Sequence, residues 1–119
     1  MRRKPGALVP LEADICLCAA ELLKSGVDEF HGYELAKELA ASTDRHSLAA
    51  YGTLYRALGR LEDMGMLASR WENPALARRD NRPPRRLYSL TTRGRTAARA
   101  AIAERKTRAV RTRKGWAPA

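Results

Sequence analysis

The stretch YGTLYRALGRLEDMGMLASRWE, residues 51–72, changes its period partway along. Up to Met64 the apolar side chains Leu54, Leu58 and Leu61 recur at helical spacing, and Tyr51, Thr53, Arg56 and Arg60 fall mainly off that stripe. Gly65 supplies the left-handed residue that closes a helix. From Met66 to Glu72 the period becomes two: Leu67 and Trp71 frame an alternating strand, with Ser69 its polar exception. A helix therefore passes straight into a strand, and the flanking segments can be read around that junction.

Upstream, Gly32 to Ala41 reads as a short helix whose buried stripe is Leu35, Ala36, Leu39 and Ala40. Before it, Pro10 to Lys24 reads as a helix on Leu11, Ile15, Cys18 and Leu22. Pro10 suits its first turn, Glu12 and Asp14 its positive end and Lys24 its negative end; Ser25-Gly26 stops it. Residues 42–46 are a polar connection. Downstream, Asn73 to Pro84 carries Pro74, Asp80-Asn81 and Pro83-Pro84 and reads as a loop. Arg85 to Leu90 reads as the second strand. Thr91-Thr92 then offers an N-cap to a helix rich in Ala and Arg that runs towards Arg111. The predicted class is mainly α with a small two-stranded β-hairpin (α+β). Its order is three helices, strand, wing, strand, helix, which is a winged helix-turn-helix. Residues 1–90 form the expected DNA-binding domain, 91–114 a C-terminal helix suited to dimerisation, and 115–119 a frayed tail.

The charge is placed unevenly. Of a net +10, residues 1–66 hold 8 Lys and Arg against 10 Asp and Glu, while residues 67–119 hold 15 against 3. Such a concentration favours a polyanion through phosphate contacts and counterion release. In a winged helix the third helix enters the major groove and the hairpin tip reaches the minor groove or the adjacent backbone. The tip expected to do this carries Arg78, Arg79 and Arg82, with Arg85 and Arg86 where the second strand begins and Asp80 the one acid among them.

Other classes find little support. No apolar run approaches the roughly 20 residues of a membrane span, and the basic Met1 to Lys4 is not followed by a signal-peptide core, so a cytoplasmic protein is expected. Cys16 and Cys18 point in different directions from one helix and read as small core residues rather than a disulfide or a metal pair. The two histidines, His31 and His46, accompany no nucleophile motif and no glycine-rich phosphate loop. No enzyme activity, metal or cofactor is expected.

Several segments resemble the PadR family of regulators. Phe30 to Leu35 (FHGYEL) is similar to its HGYEL signature. Gly52 to Leu58, with Arg60-Leu61-Glu62 and Gly65, is similar to its recognition-helix motif. Trp71-Glu72, Arg86 to Thr91 and Gly94-Arg95 are similar to its wing strands and the start of its last helix. The likeness covers roughly residues 11–100 in the right order. One position departs: Ala50-Tyr51 stands where the family often has a Ser-Pro type pair, so the helix starts either there without a good cap or earlier, on Ser47.

The resemblance implies a sequence-specific regulator of double-stranded DNA, typically a repressor acting as a homodimer, with room for a small-molecule effector. Tyr51, Gly52, Thr53, Tyr55, Arg56 and Arg60 are the candidate DNA contacts of the recognition helix. Thr53 suits a thymine methyl or a phosphate, and Arg56 or Arg60 a guanine or a phosphate, against the bland alternative of a solvated face. Gly52 reads either as a point of close backbone approach or as a tolerated helix glycine. Tyr55 reads either as a phosphate ligand or as packing between helices. Tyr33 and Lys37, on the helix that crosses the backbone, are further candidates, with Tyr33 more in keeping with a core tyrosine. Trp71 reads as core or wing packing. Dimerisation is expected through Leu11, Ile15 and Leu17 of the first helix and Ala98, Ala101 and Ile102 of the last. The alternative is a winged helix binding RNA or a protein. It is the weaker reading, because RNA recognition usually relies on exposed aromatics for stacking.

Overall fold

A computed structural model describes residues 8–42 and 51–113. The order is α1 (Pro10–Lys24), α2 (Gly32–Ser42), α3 (Tyr51–Asp63), β1 (Leu67–Trp71), α4 (Pro74–Arg79), β2 (Arg86–Leu90) and α5 (Thr92–Arg113). The two strands form one antiparallel sheet in the register Leu67↔Leu90 to Trp71↔Arg86. This is the winged helix expected from the periodicity, with one correction. The wing is not all loop: Asn73 caps a short helix, its side-chain oxygen accepting the Ala75 N–H at 2.9 Å, and Pro74 fills the first turn. Asn81, at φ 55°, turns the chain out of that helix, and the Arg82 N–H closes on the Ala77 carbonyl at 3.0 Å. The interval 43–50, including Ser47 and the cap of the recognition helix, and the tail 115–119 lie outside the described residues.

One core joins all the layers. Ile15, Cys16 and Ala19 of α1 meet Leu35 and Leu39 of α2, Leu54, Leu58 and Leu61 of α3, Leu67, Tyr88 and Leu90 of the hairpin, and Ala98 of α5. Phe30, just before α2, is buried among them and bridges to β2: its N–H donates to the Tyr88 carbonyl at 3.0 Å and its carbonyl accepts from the Tyr88 N–H at 2.8 Å. The core thus extends past residue 90 into the C-terminal helix. Gly65, at φ 75°, makes the left-handed turn between α3 and β1.

The first helix buries more than its apolar stripe. Glu12 and Asp14 are 1% and 7% exposed. Glu12 Oε1 accepts the Val9 N–H at 3.1 Å, capping its own helix, while Oε2 accepts from Arg60 Nε of α3 at 2.8 Å. Asp14 Oδ1 accepts from Arg105 Nη2 of α5. Neighbouring acids on α1 therefore hold the third and fifth helices, as buried carboxylates require charged, hydrogen-bonded partners. Burial raises the Cys16 and Cys18 thiols to about 11, so both are neutral core residues. No described helix is long and apolar enough to cross a membrane.

Candidate nucleic-acid interface

Helix α3 presents its outer face through Gly52, Tyr55, Arg56, Gly59 and Arg60, all exposed. A Cβ on Gly52 would meet nothing within 4 Å, so no neighbouring described group requires glycine there. Thr53 is half-buried, and its Oγ1 accepts from Arg56 Nη2 at 3.3 Å. Tyr51 opens the helix, and its side chain lies outside the described part. Arg60 is half-exposed but its Nε is engaged by Glu12, so it orients α3 against α1. Arg56 is the arginine of this helix that faces outward without an acid partner among the described residues.

Tyr55 rests its ring on the start of α2. A Cβ on Gly32 would come within 2.5 Å of the tyrosine hydroxyl and 2.7 Å of its ring carbon Cζ. The glycine of the HGYEL segment is thus the space in which Tyr55 packs, and Tyr55 remains 46% exposed beside it. Tyr33 is not a core tyrosine: it is 55% exposed, because α2 turns that position away from the Leu35–Leu39 stripe. Lys37 Nζ lies 5.8 Å from the Tyr33 ring centroid, so both side chains lie together on the outer side of α2.

The wing sorts its arginines. Arg82 grips Glu72 with two parallel bonds, Nη1 to Oε1 at 2.6 Å and Nη2 to Oε2 at 2.9 Å, and keeps only 21% of its side chain exposed. That guanidinium, with the Arg85 backbone N–H, holds the Glu72 carboxyl down to about 2. Arg86 donates to Ser69 Oγ at 3.1 Å and approaches Glu62 at 3.7 Å; its guanidinium lies 5.2 Å from the Trp71 ring. Arg82 and Arg86 therefore stiffen the hairpin. Arg78 and Arg79, at the end of α4, are exposed with no acid partner among the described residues, and Arg85 is exposed beside His31. Trp71 is 62% exposed, so of its two readings, core or wing packing, the second remains: it lies two pairs beyond Ser69↔Tyr88, the last pair with a buried member, and meets Arg86 of the wing.

Two further groups escaped the sequence reading. Arg70 of β1 forms a fork with Glu29, both bonds 2.6 Å, tying the segment before α2 to the hairpin and lowering the Glu29 carboxyl below its usual range. His31 stands at the N-cap of α2, where Nδ1 accepts the Glu34 N–H at 3.2 Å and Nε2 lies 3.1 Å from Arg85 Nη1. The signal for that cap was the helix start at Gly32; the wing contact carries no local signature.

Of the residues expected at a dimer surface, Ile15 and Ala98 are buried within the chain itself at 0% and 2% exposure, which removes them from reach of a second copy. Leu11, Leu17, Ala101 and Ile102 are half-buried. Between α1 and α5 runs a groove of about 230 Å³ lined by Ala20, Leu23, Ala98 and Ile102, with Lys24, Arg95 and Arg99 among its polar edges.

The comparisons agree with this geometry. The model of the "Transcriptional regulator PadR-like family" matches residues 21–100. A PadR family transcription regulator from Clostridium difficile R20291 is 26% identical, covering 87% of this chain and 98% of that one at TM-score 0.65. A PadR family transcriptional regulator from Eggerthella lenta DSM 2243 is 29% identical, covering 84% and 78% at TM-score 0.61. A transcriptional regulator from Clostridium thermocellum, 21% identical over 87% and 92% at TM-score 0.65, shares the fold. A comparison with curated proteins finds no match. With the family model spanning helix α2, the recognition helix, the wing and the start of α5, the chain belongs to the PadR-like family of transcriptional regulators.

Proposed function

We propose that the protein is a sequence-specific double-stranded DNA-binding repressor that acts as a homodimer. The observation that carries this reading is the division among its arginines. Acids engage Arg60, Arg82 and Arg86, while Arg56 on α3 and Arg78, Arg79 and Arg85 on the wing face outward without an acid partner among the described residues. In this reading Arg56 and Thr53 meet base edges in the major groove, and Gly52, with open space over it, lets the backbone come close to the duplex. Arg78, Arg79 and Arg85 hold phosphates beside the groove, and Tyr33 and Lys37 hold the backbone on the opposite side of α3. Tyr51, Tyr55 and Arg60 are assigned supporting roles at the same helix, and Arg82 and Arg86 the stiffening of the wing.

A dimer reading two half-sites would form through the outer faces of α1 and α5, with Leu11, Leu17, Ala101 and Ile102 as its apolar contacts. An effector that releases DNA would have the α1–α5 groove to enter, whose volume of about 230 Å³ lies just below the range of about 300–1,000 Å³ for ligand pockets and so suits only a small molecule.

The test is binding to duplex DNA from upstream of its own gene, with a shuffled duplex as control, across a salt series. Selective binding that survives moderate salt, at a stoichiometry of two chains per site, is the expected result. Equal binding to both duplexes that disappears at moderate salt would reduce the protein to a generic polycation and overturn the proposal.

A further inference from the structure

We propose that His31 and Arg85 form a two-donor clamp for a single phosphate oxygen of the DNA backbone. This rests on the DNA-binding reading above and assigns one contact within it.

Arg85 can only donate, and a neutral imidazole has one donor and one acceptor. His31 Nδ1 faces the Glu34 N–H at 3.2 Å and so is the acceptor, which leaves the ring proton on Nε2. Nε2–H then faces Arg85 Nη1 across 3.1 Å, donor against donor. The opposite tautomer would accept from Arg85 but turn a ring N–H on the Glu34 N–H, so the conflict moves without disappearing. An acceptor beside the pair, reached when the exposed Arg85 guanidinium swings off Nε2, satisfies both at once, and an anionic oxygen does so best.

The surroundings favour an anion from outside. Arg85 is exposed and His31 half-buried, so the pair is reachable from solvent. The charged groups around the imidazole are Arg85, Arg82 and Glu72 of the wing and Glu34 of α2. Of the two acids, Glu72 is engaged by Arg82 and by the Arg85 N–H. The Tyr33 ring stacks on His31 with centroids 6.3 Å apart, and Lys37 Nζ lies 5.8 Å from that tyrosine ring. The two donors come from elements already fastened together by the Phe30–Tyr88 bridge and the Glu29–Arg70 fork, so the exposed Arg85 side chain is the main part left to order when the phosphate arrives.

The clamp also predicts a proton linkage. Burial, then the Arg85 charge, hold the His31 ring below its ordinary 6.5 in the free protein. A bound phosphate opposes the second cause and raises it. Binding then takes up a proton, and affinity grows as pH falls from about 8 to about 6.

His31→Asn separates the cap from the clamp, because Asn is a good N-cap but too short to reach Arg85. The expected result is an unchanged melting temperature, an operator-duplex affinity lowered about tenfold, a weaker pH dependence, and little further loss when Arg85→Ala is added. In the wild-type protein, the His31 Nε2 resonance should shift on adding the upstream duplex or, at higher concentration, inorganic phosphate. Wild-type affinity in a folded His31→Asn, or additive losses in the double variant, would overturn the clamp. If the variant fails to fold, the resonance decides: no shift with either probe overturns it. A shift with inorganic phosphate in a protein that binds no duplex would keep the clamp and sink the DNA-binding reading. Duplex binding indifferent to His31 would do the reverse.

Discussion

The wing and the C-terminal helix are both rich in arginine, yet they use it differently. In the hairpin, two acids of its own and one from α3 sort the cations. Glu72 and Asp80 engage Arg82, Glu62 approaches Arg86, and Arg78, Arg79 and Arg85 are left pointing outward from a stiffened frame. In α5 the sorting runs along the helix axis. Ala98 enters the core, Arg105 reaches the buried Asp14, and the exposed stretch beyond Ala103 carries Arg108 paired with Glu104 of its own helix. The wing leaves three cations turned outward, whereas α5 combines one internal anchor with a solvated face. Net charge alone ranks both regions together; the positions of the acids tell them apart.

The junction between the two should be the most sensitive point. A Cβ on Gly94, where β2 passes into α5, would overlap the Met66 carbonyl oxygen and Leu90 Cδ1. Gly94→Ala should cost about 2–3 kcal/mol in thermal or urea unfolding, since backbone must move to admit the methyl. A neutral result would mean that the wing and α5 are not tightly seated on each other. Next in size, Arg78→Ala with Arg79→Ala should weaken binding to every duplex about tenfold or more and flatten the salt dependence by about two phosphate contacts. A steady salt slope would remove these residues from the interface and erase the contrast with α5. Within α5 itself, Arg105→Ala should lower stability by about 1–2 kcal/mol by taking a guanidinium from a buried carboxylate. Arg108→Ala, in an exposed pair, should change it by less than about 0.5 kcal/mol. Equal effects would show that α5 has no privileged anchor.

The order of elements was legible because core burial imposes its period on the sequence. Leu54, Leu58 and Leu61, all 2% exposed or less, are the stripe read from spacing alone. The wing helix was less visible. Six residues are too few to display a helical period, although Asn73-Pro74 is a capping pair that signals a helix start. Exposure was harder still: Trp71 and Tyr33 are hydrophobic enough for a core, but the sheet and α2 carry them past its edge. The candidate site was legible as residue types but not as partnerships. Arg60 and Arg82 look like Arg56 and Arg78 in sequence, and only a partner 48 or 10 positions away in the chain separates scaffold from surface.

Glu12 bears on how the molecule comes apart. One oxygen of its carboxylate closes the first turn of α1 and the other holds the recognition helix in place. Fraying of the first turn would therefore release the recognition helix's grip on α1 at the same time. Amide exchange at Val9 and in the first turn of α1 should follow that of the distant α3 around Arg60 more closely than that of the end of α1 nearby, so that these two stretches open as one cooperative unit.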